Sequence, residues 1–506
     1  MRTFIWIVTW TMLGTSGFSA QPSREEVIAK MKPYRGESVR GVDPSSLKGK
    51  VMCGYQGWFN APGDKAQRGW AHYGRRGRFE PGHCSVDLWP DVSELGEDEK
   101  IATPFRHDDG SVAYVFSSHH RSTVLRHFRW MKDYGIDGVF VQRFGVETIH
   151  RKNLNHCNTV LSHCREGANR YGRTYAVMYD LSGLRSGQLA QVINDWKLLV
   201  DRMQIGRGGK DRAYLRHNGK PLIAIWGVGF KDGRKYTLAE CEKLVRFFKH
   251  DPKYGGCTVM LSVPTGWRTL DRDSVADKTL HDVILQADII SPWTVGRYDS
   301  PKMVTRHAER YWTPDIKWCA ERGKEYMPVV FPGFSWHNMK PESPLNQIPR
   351  LKGQFLWSQY QHAKKAGATM VYQAMFDEID EGTAIFKCTN SPPTGASQFL
   401  NYEGLPSDHY LWLTGTGARL IRGEIESTAE TPEREKLRPA VAKFRTWKSS
   451  DGKFQIEARF TKLASGRVFL ERRDNGKTIQ VPSTELSSED RAHLREFLKN
   501  RRGTQQ

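Results

Sequence analysis

The residues best equipped for chemistry in this chain are crowded into one short run. Asp377-Glu378-Ile379-Asp380-Glu381 places four carboxyl groups within five positions, directly after the apolar stretch Thr369–Ala374. Carboxylates brought close repel one another, so at least one is expected to keep its proton near neutrality. One acid with a proton and one without is the division of labour that breaks an acetal. The first protonates the leaving oxygen and the second acts as base or nucleophile. Glu378 and Glu381 lie three apart, so a turn after a strand aims both into one cleft, whereas an extended chain separates them by about 10 Å. A solvated acidic loop or a calcium ligand set is the plain alternative.

Such a run needs a rigid support, and the hydrophobic period supplies one. Short β-rich segments occur at Val51–Tyr55, Gly138–Gln142, Thr174–Tyr179, Pro221–Trp226, Cys257–Val263, Ala287–Ser291, Met327–Phe331 and Thr369–Ala374. Amphipathic helical stretches separate most of them, at about 120–134, 151–171, 187–203, 238–250, 304–322 and 351–366. Eight such repeats predict an α/β fold, a (β/α)8 TIM-type barrel, with the irregular residues 56–119 as a long insertion after strand 1. No Gly-x-Gly-x-x-Gly follows the first strand, which removes the usual reason to prefer an open doubly wound sheet.

In a barrel of this kind the working groups sit just past the C-terminal strand ends. Those positions hold Tyr55 and Trp58, Glu147, Asp180, Trp226, Trp267, Trp293, Trp336 with His337, and the acidic run itself. Flat aromatics beside carboxylates suit a sugar, whose ring faces stack while its hydroxyls bond to acids and amides. These residues, with Asp377 and Asp380, are the expected substrate contacts, and Glu378 and Glu381 the expected catalytic pair.

Composition narrows the class. The chain has 506 residues, with 16 Trp, 18 Tyr and 23 Phe, far more aromatic bulk than a disordered chain carries. A mean hydropathy of −0.60 excludes an integral membrane protein. Lys and Arg number 76 against 56 Asp and Glu, a net +20, but the basic residues are scattered and read as a solvated surface, so no nucleic-acid partner is expected. Residues 1–20 carry Arg2, the apolar run Phe4–Leu13 and small residues up to Ala20, the pattern of a secretory signal peptide. An uncleaved anchor is the rival reading of the same stretch. A secreted or periplasmic location follows, with a lead-in at 21–44 and no membrane segment in the mature chain. The eight cysteines are sparse for a disulfide framework, and Cys157 and Cys164 are too far apart along one helix to pair. Neither a metal nor a cofactor is expected.

After Gly423 the texture changes. Residues 424–443 are charged and poor in apolar side chains, as a linker is. Alternating segments then run through Arg445–Trp447, Phe454–Phe460, Arg467–Glu471 and Thr478–Pro482, with Gly452, Gly466 and Asn475-Gly476 at the turns. A helix start at Ser487-Ser488-Glu489-Asp490 leads to Leu494 and Phe497 and closes a small domain at 444–500, before a tail at 501–506.

Both parts resemble known families. The run Phe376-Asp377-Glu378-Ile379-Asp380-Glu381-Gly382-Thr383-Ala384-Ile385 resembles the strand-eight motif Trp-Asn-Glu-Trp-His-Glu-Gly-Thr-Gln-Ile of glycoside hydrolase family 99. Gly54-Tyr55-Gln56-Gly57-Trp58-Phe59, Gly69-Trp70-Ala71-His72-Tyr73 and Asp408–Gly415 extend the likeness to family 71/99-like proteins over about 45–423. The resemblance implies a (β/α)8 barrel and endo-acting cleavage of α-linked mannose or glucose chains. It also implies that Glu378 deprotonates a sugar 2-hydroxyl to give a 1,2-anhydro intermediate, while Glu381 serves as general acid and then general base. Asp377, Ile379 and Asp380 depart from the motif's Asn, Trp and His, so two of them bring extra acid beside both glutamates. Trp447, Gly452-Lys453-Phe454, Gly466, Val468, Leu470 and Val481-Pro482 are similar to SLA1 homology domain 1, a small SH3-like β-barrel that implies a protein or cell-wall docking role.

The sequence therefore reads as a secreted glycoside hydrolase acting on a polysaccharide or glycan, with an accessory docking module. A non-catalytic carbohydrate-binding or adaptor protein is the other reading of the aromatic rim. The paired glutamates separate the two, because a pure binder has no use for acids close enough to repel.

Overall fold

The computed structural model describes residues 22–434, 444–464 and 466–502, and the chain divides into two compact units at about residue 431. The signal-like residues 1–20 lie outside the described residues. Among the described residues, no helix is long and apolar enough to cross a membrane, and all eight cysteines are free thiols.

The first unit is built on eight parallel strands: β1 (Val51–Tyr55), β2 (Gly138–Phe144), β3 (Thr174–Asp180), β4 (Lys220–Trp226), β5 (Thr258–Val263), β6 (Ile289–Pro292), β7 (325–330) and β8 (Val371–Gln373). Each pairs with its successor in chain order, and β1 also pairs with β8 through Met52–Tyr372 and Cys53–Gln373. β7 closes the ring. Its start, Glu325-Tyr326, pairs with Ile289-Ile290 of β6, and its end, Val329-Val330, pairs with Tyr372-Gln373 of β8. Strands enclosed by helices are buried on both faces and read as unbroken apolar runs; β1, β3 and β5 are buried at every residue.

A helix follows each strand. The six expected from the sequence are present, for example Arg121–Tyr134, Arg151–Tyr171 and Leu238–His250. The last of these starts at a capping box, where Thr237 and Glu240 satisfy each other's backbone N–H groups. Two more were not read as helices. Thr279–Gln286 is only eight residues long. His409–Arg422 contains Gly415 and Gly417, which weaken helix propensity. Both glycines are there for packing: a Cβ on Gly415 would lie 1.8 Å from the Tyr134 carbonyl oxygen, and one on Gly417 would strike the Tyr360 ring.

The insertion after β1 is an ordered clamp. It contains a hairpin, Ile101–Arg106 with Val112–Val115, and an aromatic cluster of Phe79, Trp89 and Phe105 that packs against Phe399 of the chain after β8. It grips the long connection after β8 through bridges at Leu88–Leu400, Pro90–Cys388 and Arg106–Thr394. Past the last helix, the Thr428 carbonyl still accepts from Trp357 Nε1, so the chain stays on the barrel beyond Gly423.

The second unit is a four-stranded antiparallel meander, β9 (Arg445–Lys448), β10 (Gln455–Ala464), β11 (Arg467–Arg472) and β12 (Thr478–Pro482), followed by a helix at Ser488–Arg502. The chain after β12 returns to the end of β9, where Ser449 bridges Leu486 and Ser487 N–H donates to the Lys448 carbonyl. That return closes the sheet into a small SH3-like barrel around Trp447, Ala458, Phe460, Val468, Leu470, Leu486 and Leu494. Asp490 is buried at its edge, accepting from Lys448 N–H and the Ser487 hydroxyl and pairing with Arg445.

Candidate active site

The acidic run is a folded loop at the C-terminal end of β8. Thr383 and Ala384 N–H both return to the Glu378 carbonyl, and Phe386 N–H reaches the Phe376 carbonyl. Gly382 makes this possible. Its φ is +63°, and a Cβ there would lie 2.8 Å from Ser335 N. The β1 insertion adds a further tie, as Asp87 N–H donates to the Ile379 carbonyl.

Four acids thus share one small region, but their surroundings differ. Asp377 is fully buried and accepts the backbone N–H groups of Gln56 and Gly57 at 2.8 Å each, so it anchors the start of the β1 loop. Burial pushes its carboxyl up to about 7, against the pull of those two donors. Glu378 accepts from Gln56 Nε2 and from the Thr383 hydroxyl, each at 2.6 Å, and burial followed by the nearby Asp380 pushes it up to about 8. Asp380 lies 3.1 Å from His72 Nδ1, and its other oxygen is buried without a partner; burial holds its pKa well above the usual range.

Glu381 is the exception. It is only partly buried, and among the described residues no group donates a hydrogen bond to its carboxyl. Burial first, then Glu378 and Asp380, raise its pKa well above the ordinary carboxylate range, with Lys340 pulling the other way. One glutamate is therefore clamped by two donors that favour its ionised form. The other is unclamped, and burial with its acidic neighbours raises its pKa. Environments that push two neighbouring acids apart in this way assign a base and an acid.

Several rim residues named from the sequence gather around these acids. Asp180, at the end of β3, accepts Ser182 N–H at 2.7 Å, is raised by burial to about 6, and acts electrostatically on Glu381. Trp226 packs edge-on against Trp293, with centroids 5.8 Å apart, and Trp293 against Tyr372 at 6.0 Å, giving an aromatic wall from β4 to β8. Trp336 carries the Lys340 ammonium 3.5 Å above its ring. Trp58 stacks on His72 at 3.8 Å and 5°. The indole N–H groups of Trp58, Trp226 and Trp336 are buried with no acceptor among the described residues.

Four expected contacts take other roles. Tyr55 is fully buried and donates or accepts at His127 Nδ1 in the helix layer, because side chains alternate along β1 and it is Gly54 that faces Tyr372 inside the barrel. Trp267 is fully buried, with Nε1 donating to Asp315 and the ring edge-on to Trp318, so it braces a loop to a helix. Glu147 is committed to an ion pair with the largely buried Arg68 at 2.5 Å. His337 is tied into its own loop by Nδ1 to the Ser343 carbonyl and by its N–H to Asp87.

Sequence reasoning passed over the residues that set the geometry: Gln56, His72 and Thr383 on the acids, and Asp87 beneath the β7 loop. Asp87 is fully buried and accepts from the Ser335 hydroxyl and from His337 and Asn338 N–H. Each sits in or against a segment without periodicity, so only motif likeness around Gln56, His72 and Thr383 offered a signal.

Comparison with known proteins agrees with this architecture. The barrel unit is similar to the GH99 endo-alpha-mannosidase from Bacteroides thetaiotaomicron, at 17% identity and a TM-score of 0.54, over 75% of this chain and 99% of that one. A structure of the same enzyme in complex with bis-tris-propane matches at 18% identity, a TM-score of 0.54 and the same coverage. The two share the barrel fold. Residues 435–502 match the family described as SLA1 homology domain 1, SHD1. No curated protein matches the chain significantly.

Proposed function

We propose that the barrel is a glycoside hydrolase that cleaves α-linked glycans of the mannoside or glucan type, exported from the cell, with the C-terminal unit docking it to a protein or cell-wall partner. The observation that carries this reading is the unequal pair at the barrel mouth: Glu378 held by Gln56 and Thr383, Glu381 partly exposed and unclamped, both protonating above the ordinary range. Glu381 delivers its proton to the leaving glycosidic oxygen as the anomeric C–O bond breaks. In its ionised form, the form that the Gln56 and Thr383 donors favour, Glu378 takes the proton of the sugar 2-hydroxyl as that oxygen closes on the anomeric carbon, or attacks the carbon itself. Water then attacks the anomeric carbon and gives a proton to Glu381, while Glu378 returns its proton to the sugar 2-oxygen or, after covalent attack, leaves as the carboxylate. The partly exposed rings of Trp226 and Trp293, backed by the buried Tyr372, offer a surface for a sugar to pack on, and the likeness in fold to an endo-alpha-mannosidase supports the substrate class.

The test is a panel of α-mannan, α-glucan and unrelated polysaccharides digested by the full chain, Glu378→Gln and Glu381→Gln, with released reducing ends as the readout. Hydrolysis of at least one α-linked substrate, lost by at least 10²-fold in each folded variant, is the expected outcome. Unchanged hydrolysis in both variants would reject the assignment.

A further inference from the structure

Past Asp180, the loops after β3 and β4 form an open cavity of about 700 Å³, lined by Ser182–Ser186 and Asp232–Lys235. Its charge is opposite to that of the β8 loop. Three cations, Arg185, Arg234 and Lys235, face a single lining carboxylate, Asp232. Arg234 neutralises that acid with two parallel hydrogen bonds of 2.8 Å, stacks 4.8 Å over Trp226, and donates to the Ser182 hydroxyl. Glu240, at the far edge, is already engaged by Gly187 N–H and by the helix cap at Thr237. Arg185 and Lys235 remain exposed with no carboxylate partner among the described residues, and their backbones bridge each other.

Position links this cavity to the proposed cleft. Asp180 lies between them, acting on Glu381 on one side and feeling Arg234 on the other. Trp226 belongs to the aromatic wall and to the Arg234 stack. A glycan chain crossing the wall from the acids therefore arrives at two unpaired cations on a rigid aromatic and guanidinium floor.

We propose that this cavity is a subsite for an anionic sugar, a residue bearing sulfate or carboxylate, bound by Arg185 and Lys235 while its ring packs beside Arg234 and Trp226. The inference extends the glycosidase reading to its substrate class. Charge-assisted hydrogen bonds to such a group are the strong kind, and neutral sugars gain nothing from them.

Binding tests it without relying on turnover. Calorimetric titration of the full chain uses a sulfated oligosaccharide, an oligouronate and a neutral α-mannan oligosaccharide of equal length. Arg185→Ala/Lys235→Ala removes the proposed contacts. Arg212→Ala/Lys220→Ala removes the same charge from exposed positions at the opposite end of the barrel. The expected result is a loss of about tenfold or more in affinity for an acidic probe with the first pair and less than about twofold with the second. Preference for the sulfated probe or for the uronate identifies the anion. Equal losses in both double variants, no loss in the first, or wild-type protein that binds neither acidic probe overturns the proposal. Because affinity is read separately from hydrolysis, a failed subsite and a failed enzyme assignment give different results.

Discussion

His72 Nδ1 lies 3.1 Å from Asp380 Oδ2, joining the insertion after β1 to the acid loop after β8. Burial acts on the two partners in opposite senses, lowering the imidazole to about 3 and holding the carboxyl well above its usual range. Burial therefore favours the neutral form of each group. In that neutral pair the carboxylic O–H donates to Nδ1, and Nε2 carries the imidazole proton. Among the described residues Nε2 has no partner, and the side chain is 31% exposed, so it presents a donor at the barrel mouth, held flat by Trp58.

This proton placement predicts how substitution of Asp380 behaves. Asp380→Asn keeps a donor toward Nδ1 and should retain hydrolysis within a few-fold. Asp380→Ala frees the imidazole and should lower kcat/KM by about 10²-fold. Steady-state kinetics on the two variants decides the matter. If asparagine is as damaging as alanine, the pair works through an ionised Asp380.

A general acid reveals itself through its leaving group. Glu381→Gln should lose about 10²–10⁴-fold on a natural glycan but recover much of that on an aryl glycoside whose leaving phenol is already acidic. Glu378→Gln should gain no such relief. Recovery by the Glu378 variant instead would exchange the two roles.

Stability should also report the clamped glutamate. In the folded chain Glu378 holds its proton up to about pH 8, whereas an ordinary glutamate loses it near 4.5. Between those values the native state binds the extra proton, so unfolding releases it and stability falls as pH rises. Glu378→Gln removes this dependence. Its Tm relative to the parent should climb steadily from pH 5 to pH 8, and a difference that stays level across that range contradicts the raised pKa.

Asp87 supports the site without touching substrate. Asp87→Ala would leave the Ser335 hydroxyl and two backbone N–H groups without their acceptor. Losing these buried bonds should cost about 2–4 kcal/mol. Thermal unfolding should show the loss, together with reduced hydrolysis as the β7 loop loosens. A Tm within a degree of the parent would mean that the loop is held by other contacts.

The barrel was legible because its strands announce themselves locally. Unbroken apolar runs such as Thr258–Val263, separated by amphipathic helices, admit few arrangements. The acid loop was legible too, as four carboxyls after a buried strand have few structural excuses. Tyr55 and Trp267 were misplaced for a common reason. Standing at a strand end says which end of the barrel a residue occupies, while the face it takes depends on strand alternation and on what the loop packs against.

By itself, the sequence determined eight strands, six of the helices that separate them, the separate C-terminal β unit and the loop that carries the acids, since period and turn chemistry act between near neighbours. The tertiary structure decided which acid is clamped and which is free. Gln56 stands 322 positions from Glu378 in the chain, and His72 stands 308 from Asp380. Hydrogen bonding and burial act through space, so the partners that give four similar carboxyls different surroundings meet only when the ring of strands closes.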